Sequence, residues 1–266
     1  MIHVLSLGAG VQSSTLALML ARGEVGPMPD CAIFADTGAE PASVYDWLDW
    51  LETQLPYPVH RVMKANGLRE NIIAAVAGGR FAGAPFFTES RSAGGGQLRR
   101  QCTREFKVEP ITKKLRELVG LEYRQRAPRE VMVTQFIGIS YDEVIRMKPS
   151  REHWIEHKWP LVELRMRRLD CLAWMESHGY PKPGRSACTF CPYHSDAEWK
   201  DLQSKPKDWA ETILIDEMIR GGVRGTTEKL YLHRSLKPLA ELNFDSAEDR
   251  GQQTMFNEEC EGMCGV

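Results

Sequence analysis

The feature that most restricts this chain is a junction near its start. The apolar run from His3 to Leu7 passes without interruption into Gly8-Ala9-Gly10 and then into Val11-Gln12-Ser13-Ser14. Leu16, Met19 and Leu20 follow at helical spacing until Gly23. A short strand, a glycine turn and a helix that opens on hydroxyl residues make a place for an anion. Glycine lets the backbone come close to phosphate oxygens, and the unpaired amides of the first helical turn point at them. Ser13, Ser14 and Thr15 add hydroxyl donors. No Gly-Lys-Ser/Thr follows, so this is not the Walker loop, and Gly-Ala-Gly by itself also fits a plain tight turn.

The same alternation continues downstream. Cys31 to Ala35 is a second apolar run, ended by Asp36-Thr37-Gly38. Pro41 opens a helix carrying Val44, Trp47, Leu48 and Leu51, consistent with the tolerance of a first helical turn for proline. Val59 to Met63 reads as a third strand and Leu68 to Val76 as a helix. Strand and helix at this pace imply right-handed βαβ units on a parallel sheet. Gly78 to Gln97 reads as a long loop around Gly94-Gly95-Gly96, a length that is usually functional or mobile. Beyond it, Glu105 to Leu118 predicts a helix, Val131 to Ile139 a strand, and Leu169 to His178 a helix. After a cysteine-bearing loop, Gly184 to Pro192, helices are expected around Ala197–Leu202 and Trp209–Ile219. With 266 residues, no internal repeat and no linker, the chain fits one large α/β domain with an extension. Its core is large enough to need no disulfides.

Charge excludes little. The net charge is −2 and the pI about 6.4, so there is no global pull toward nucleic acid. Arg99, Arg100, Arg104, Lys107, Lys113 and Lys114 cluster in one span, and Arg165, Arg167 and Arg168 in another. The ordinary reading of such runs is a solvated helix face. The start of the chain has no basic segment leading into a long apolar run, and no window approaches the roughly 20 apolar residues of a membrane span. Seven cysteines without a secretory signal then suggest a reducing, cytoplasmic setting, in which thiols bind metal or do chemistry rather than pair.

Cys188-x-x-Cys191, followed by Pro192, has metal-loop spacing: two thiolates on one tight turn can reach one centre. Cys31 and Cys171 lie in apolar patterns and read as small buried hydrophobes. His153, His157, His194 and His233 stand in polar surroundings and read as surface residues. Arg104 and Lys107 sit one turn apart on the expected helix, so they would share a face able to grip phosphate or sulfate.

At this point the sequence resembles a family. Ser6-Leu7-Gly8-Ala9-Gly10-Val11-Gln12-Ser13-Ser14 is similar to the PP-loop of ATP pyrophosphatases and phosphoadenylyl-sulfate reductases, Ser-Gly-Gly-x-Asp-Ser, with Gln12 in place of the aspartate. Phe34 to Glu40 resembles the family's Asp-Thr-Gly segment, and Cys102 to Pro110 its Cys-x-x-x-x-Lys-Val-x-Pro segment. Gly138 to Glu143, with Arg146, resembles Gly-x-Arg-x-x-Glu-Ser…Arg, with Ser140 in place of an arginine. Trp159-Pro160-Leu161, Gly179 to Pro183 and Cys188 to Pro192 follow the family's second half in order. The likeness covers residues 1–195.

The resemblance implies a Rossmann-like (HUP-type) α/β fold: a parallel sheet flanked by helices in a nucleotide-binding domain at 1–195, then a mainly helical extension at 196–266 with a cysteine-bearing tail. It implies ATP or a related adenylate held by Ser6, Leu7, Gly8, Ala9, Gly10, Gln12, Ser13, Ser14, Asp36, Thr37, Gly38, Gly138, Ser140 and Arg146. Lys107, Arg104 and Asp36 would be catalytic. Magnesium is a further candidate cofactor, weakened because Gln12 offers no carboxylate. Cys102 would join Cys188 and Cys191 on a four-iron, four-sulfur (4Fe-4S) cluster, with Cys260 or Cys264 completing the set; a zinc site is the competing reading, since both accept four thiolates. The implied activity is adenylation of a substrate followed by sulfur transfer, with a nucleic acid acceptor or a sulfur-donor protein as partners and a homo-oligomer as a possible assembly. The alternatives are phosphoadenylyl-sulfate or adenylyl-sulfate reduction, and a non-enzymatic adenylate- or redox-sensing module.

Overall fold

A computed structural model describes residues 1–89, 96–122, 124–226 and 228–245. Cys260 and Cys264 lie outside the described residues. In chain order, the first half runs β1 (Ile2–Leu7), α1 (Val11–Ala21), β2 (Cys31–Asp36), α2 (Ala42–Gln54), β3 (Val59–Met63) and α3 (Gly67–Val76). Two short strands follow, β4 (Phe87–Thr88) and β5 (Gly96–Gln97), then a π-helical turn at Arg104–Val108 that runs into α4 (Glu109–Leu118). The rest comprises β6 (Val133–Ile137), a 3-10 segment (Tyr141–Arg146), β7 (Ile155–Lys158), α5 (Pro160–Glu163), α6 (Arg168–Ser177), α7 (Asp196–Gln203), α8 (Pro206–Ile219), β8 (Leu230–Tyr231) and a 3-10 turn (Leu239–Glu241).

Five strands form a wholly parallel sheet in the order β3-β2-β1-β6-β7. The expected α/β architecture is therefore present. Central strands are covered on both faces, so β2 and β6 are buried almost end to end, β6 including the polar Thr134 and Gln135. On one face α1, α2 and α6 close a core around Leu16, Leu20, Leu48, Leu51 and Met175. Helix α1 is buried nearly all round, because α6 covers the side that the sheet does not. On the other face Leu115 of α4 packs on Val4, Ile33 and Val133. A third cluster joins α3 to α7, α8 and the cysteine loop through Ile72, Phe106, Phe190, Trp199 and Ile215. No helix among the described residues is long and apolar enough to cross a membrane.

Several expectations are corrected. The segment read as a loop from 78 to 97 carries β4 and β5, which form a small antiparallel sheet with β8. The single helix expected at 105–118 begins with the π-turn. His233 and His194 are not surface residues. His233 is buried with its ring nitrogens 3.2 Å from Asp196 Oδ1 and 2.7 Å from Ser235 Oγ. The His194 side chain is 6% exposed, and burial pushes its imidazole down to about 4. Cys31 and Cys171 are buried, and desolvation raises their thiols to about 11 and about 12.

Candidate functional site

In an open parallel sheet, ligands collect at the carboxyl ends of the strands where successive connections leave in opposite directions. Here that point lies between β1 and β6, and the Gly8–Gly10 turn stands on it. Ala9 takes φ 56, in the left-handed region that non-glycine residues seldom visit. Gly10, extended at φ −94 and ψ 179, begins α1 with no side chain capping it. Across the crevice, Gly138 leaves β6 in close contact with the turn. A Cβ at Gly138 would lie 2.6 Å from Ser13 Cα and 2.8 Å from Ser13 N.

The loop side chains divide into two groups. Ser13 Oγ donates to Gly10 O at 3.2 Å. Ser14, in contrast, is fully buried and accepts from Trp47 Nε1 at 3.0 Å, so its hydroxyl holds α1 against α2 and is turned away from the loop mouth. Gln12 Nε2 donates to the buried Ser140 Oγ at 3.4 Å, while Arg168 Nη1 donates to Gln12 Oε1 at 3.2 Å. With a guanidinium on its only oxygen, Gln12 does not fit a magnesium ligand. Arg146 pairs with Glu143 inside the 3-10 segment.

Asp36 ends β2 and shapes the next turn: Oδ1 accepts Gly38 N at 2.7 Å and the Tyr45 hydroxyl at 2.8 Å. Burial first, and this bond second, push the Tyr45 phenol well above its ordinary range. The Thr37 hydroxyl sits 3.3 Å from Cys188 Sγ. Cys102, Cys188 and Cys191 line one cavity of about 70 Å³ together with Thr37, Lys107 and Ser186. Glu40, its side chain fully enclosed, accepts from Lys107 Nζ at 3.2 Å and Ser186 Oγ at 3.1 Å. The cysteine turn is fixed by Cys191 N to Cys188 O at 2.9 Å, Thr189 N to Ala39 O at 2.8 Å, and His194 Nε2 to Cys188 O at 2.9 Å. Burial pushes the Cys188 thiol up to about 12; Glu40 adds to the rise and Lys107 opposes it.

These thiols suit a soft, thiophilic group. Yet no three His, Cys, Asp or Glu side chains among the described residues stand as a single metal ion requires. Thiolates are the donors that both zinc and an iron–sulfur cluster take, and the further expected ligands Cys260 and Cys264 lie outside the described residues.

Arg104 and Lys107 do not act as one face. The π-turn is wider than an α-turn, and it sends Lys107 into the cysteine cavity while Arg104 lines a second, larger cleft of about 1120 Å³. Arg104 also lies 3.6 Å from Glu109. Arg100 and Thr103 border both hollows. Behind the π-turn, Glu105 accepts a two-pronged bond from Arg80 at 2.8 and 2.6 Å and one from Lys64 at 3.0 Å. The Arg80 fork is the main reason its carboxyl is held down at about 2, from an ordinary 4.5. A depressed carboxyl stabilises the fold fully above its unfolded value and loses that contribution as pH falls toward its folded value. Glu105→Gln is thus expected to flatten the fall in thermal midpoint between about pH 4.5 and 2; an unchanged acid limb would show that Glu105 carries none of it.

No family model matches the chain, and no curated protein matches it. Among solved structures, a similar one is the crystal structure of phosphoadenylyl-sulfate (PAPS) reductase from Candida auris in a phosphate complex. The TM-score is 0.46 over 68% of this chain and 75% of that chain, at 14% sequence identity. The likeness is one of fold.

Sequence reasoning missed three residues that the site uses. Glu40 ends the Phe34–Glu40 segment, but nothing in the sequence marks its carboxylate as the anchor of Lys107. Ser186 lies between the glycine turn and the cysteines: a Cβ at Gly10 would sit 3.9 Å from its Cβ. Arg168 belongs to a basic cluster read as solvated, and only the fold brings it to Gln12.

Proposed function

We propose that the chain is a PP-loop enzyme that binds ATP at the Gly8–Ser13 turn, adenylates a substrate and supports sulfur transfer beside it. The observation that carries this reading is the adjacency of turn and thiols: Gly10 abuts Ser186, which lines the cavity of Cys102, Cys188, Cys191 and Lys107. Loop amides and the α1 N-terminus would hold the phosphates. A substrate oxygen attacks the α-phosphorus, and the bond to the departing pyrophosphate breaks. A sulfide then attacks the activated carbon, the carbon–oxygen bond to the adenylate breaks, and AMP leaves with that oxygen. Lys107, steered by Glu40, supplies positive charge where phosphate oxygens gain negative charge. Cys102, Cys188 and Cys191 would hold an iron–sulfur cluster, whose chemistry is the keeping and passing of sulfur. Asp36, the other catalytic candidate, orders the Thr37-Gly38 turn at the end of β2.

Anaerobic protein with ATP, a sulfide source and total cellular RNA as acceptor should release AMP and pyrophosphate, and Lys107→Met should lower that rate by about 10²–10³-fold. Sulfite formed from phosphoadenylyl sulfate without pyrophosphate release would instead identify a reductase. Binding of adenylate without turnover would leave a sensing module. Stoichiometric zinc without iron in the same preparation would refute the cluster.

A further inference from the structure

The cleft of about 1120 Å³ is not needed to hold one nucleotide; small-molecule pockets seldom exceed roughly 1,000 Å³. It opens on the face of β6 and β7 that α4 leaves uncovered. Its floor includes Gln135, Ile137 and Ile155. The π-turn and α4 contribute Arg104, Lys113 and Arg116 to one side, while the segment leading into edge strand β7 contributes Arg146, Lys148 and Arg151. In all, eight arginines and lysines line it against three glutamates, in a chain whose net charge is −2. Positive charge is thus concentrated along one concave track, where it acts on a long anion far more than the overall charge suggests.

We propose that this cleft holds a single-stranded segment of nucleic acid. Cations distributed along both sides match a repeating phosphate chain, and a recessed aromatic pair, His157 and Trp159 at 6.0 Å, offers ring surface for unstacked bases. Ser6, at the start of the glycine turn, lines the same cleft, so a bound strand reaches the proposed ATP site. That the strand is the acceptor of the reaction rests on the function proposed above; that it binds here does not.

Fluorescence anisotropy of a labelled 20-nucleotide RNA or DNA strand with the full chain tests this. If about four phosphates are engaged, raising salt from about 50 to 200 mM should weaken binding roughly fifty-fold. The variant carrying Lys113→Glu, Lys148→Glu and Arg151→Glu, all exposed residues, should bind the strand at least about tenfold more weakly while its ATP affinity is unchanged. Lys182→Glu, an exposed position away from the cleft, should leave strand binding intact. Strand affinity equal to that of the unaltered chain in the triple variant, or an equal loss with Lys182→Glu, overturns the proposal. So does displacement of the strand by polyglutamate at equal charge, which points to an acidic protein, or a parallel fall in ATP affinity, which makes the cleft part of the mononucleotide site. Expected strand binding without any ATP binding would sink the proposed function and leave this one standing.

Discussion

Gly138→Ala is expected to reduce adenylate affinity about a hundredfold while the chain still folds. A Cβ at that position would come within 2.6 Å of Ser13 Cα and 2.8 Å of Ser13 N. Both are backbone atoms, so no flexible side chain can turn aside. Either the end of β6 retreats or the first turn of α1 is pushed out, and α1 is pinned on its far side by the buried Ser14–Trp47 bond. The displacement therefore falls on the loop amides, and misplacing a binding group by about 1 Å can cost on the order of 10²-fold. Gly10→Ala is the informative contrast. Its Cβ meets nothing closer than 3.9 Å, so it should leave the fold undisturbed and affect binding only by occupying space that a phosphate needs. Isothermal titration with ATP, beside thermal unfolding, reads both. Undiminished affinity in a folded Gly138→Ala protein would remove the crevice between β1 and β6 as the nucleotide site.

The sheet was legible in the sequence because parallel strands buried on both faces favour apolar runs, as in Cys31–Ala35, although Val133–Ile137 also buries Thr134 and Gln135. The glycine turn was legible because its position after such a run is itself the signal. Elements with little local pattern were not. Two-residue strands such as Phe87–Thr88 exist only through their partners, one of which, Leu230–Tyr231, is more than 140 positions away. Edge strand Ile-Glu-His-Lys at 155–158 is too polar to stand out. At the site, residue types were readable but directions were not. A helix of ordinary pitch would have put Arg104 and Lys107 on one face; the π-turn separates them into two hollows. Glu40 and Arg168 illustrate the same limit, since a carboxylate's partner 67 positions away and an arginine's 156 positions away are properties of the fold.

Asp216→Ala should cost about 3–5 kcal/mol, among the largest effects of any single change outside the site. Asp216 is 1% exposed and joins three elements. Its Oδ2 accepts Arg220 Nη2 at 2.6 Å and Leu239 N at 3.0 Å, and its Oδ1 accepts Leu232 N at 3.2 Å. Helix α8 is thereby tied to the residues after β8 and to the last 3-10 turn. Burial nevertheless raises the carboxyl above its ordinary value, outweighing the Leu239 amide, Arg220 and the Leu232 amide that lower it. The charge is thus held at a cost, and the loss in the alanine variant comes mainly from three donors left without an acceptor. Asn should fall between, because its oxygen can still serve one side while its amide nitrogen serves neither. For a chain of this size the alanine change corresponds to a midpoint lower by on the order of 10 °C. Because Ile215 beside it packs in one cluster with Trp199, Phe190 and Phe106, the loosening should reach the cysteine turn, and unfolding should remain a single transition. An alanine variant within about 1 kcal/mol of the parent would refute the bond network as a keystone. Two separate transitions would instead show that the segment from 196 to 245 unfolds as a unit of its own.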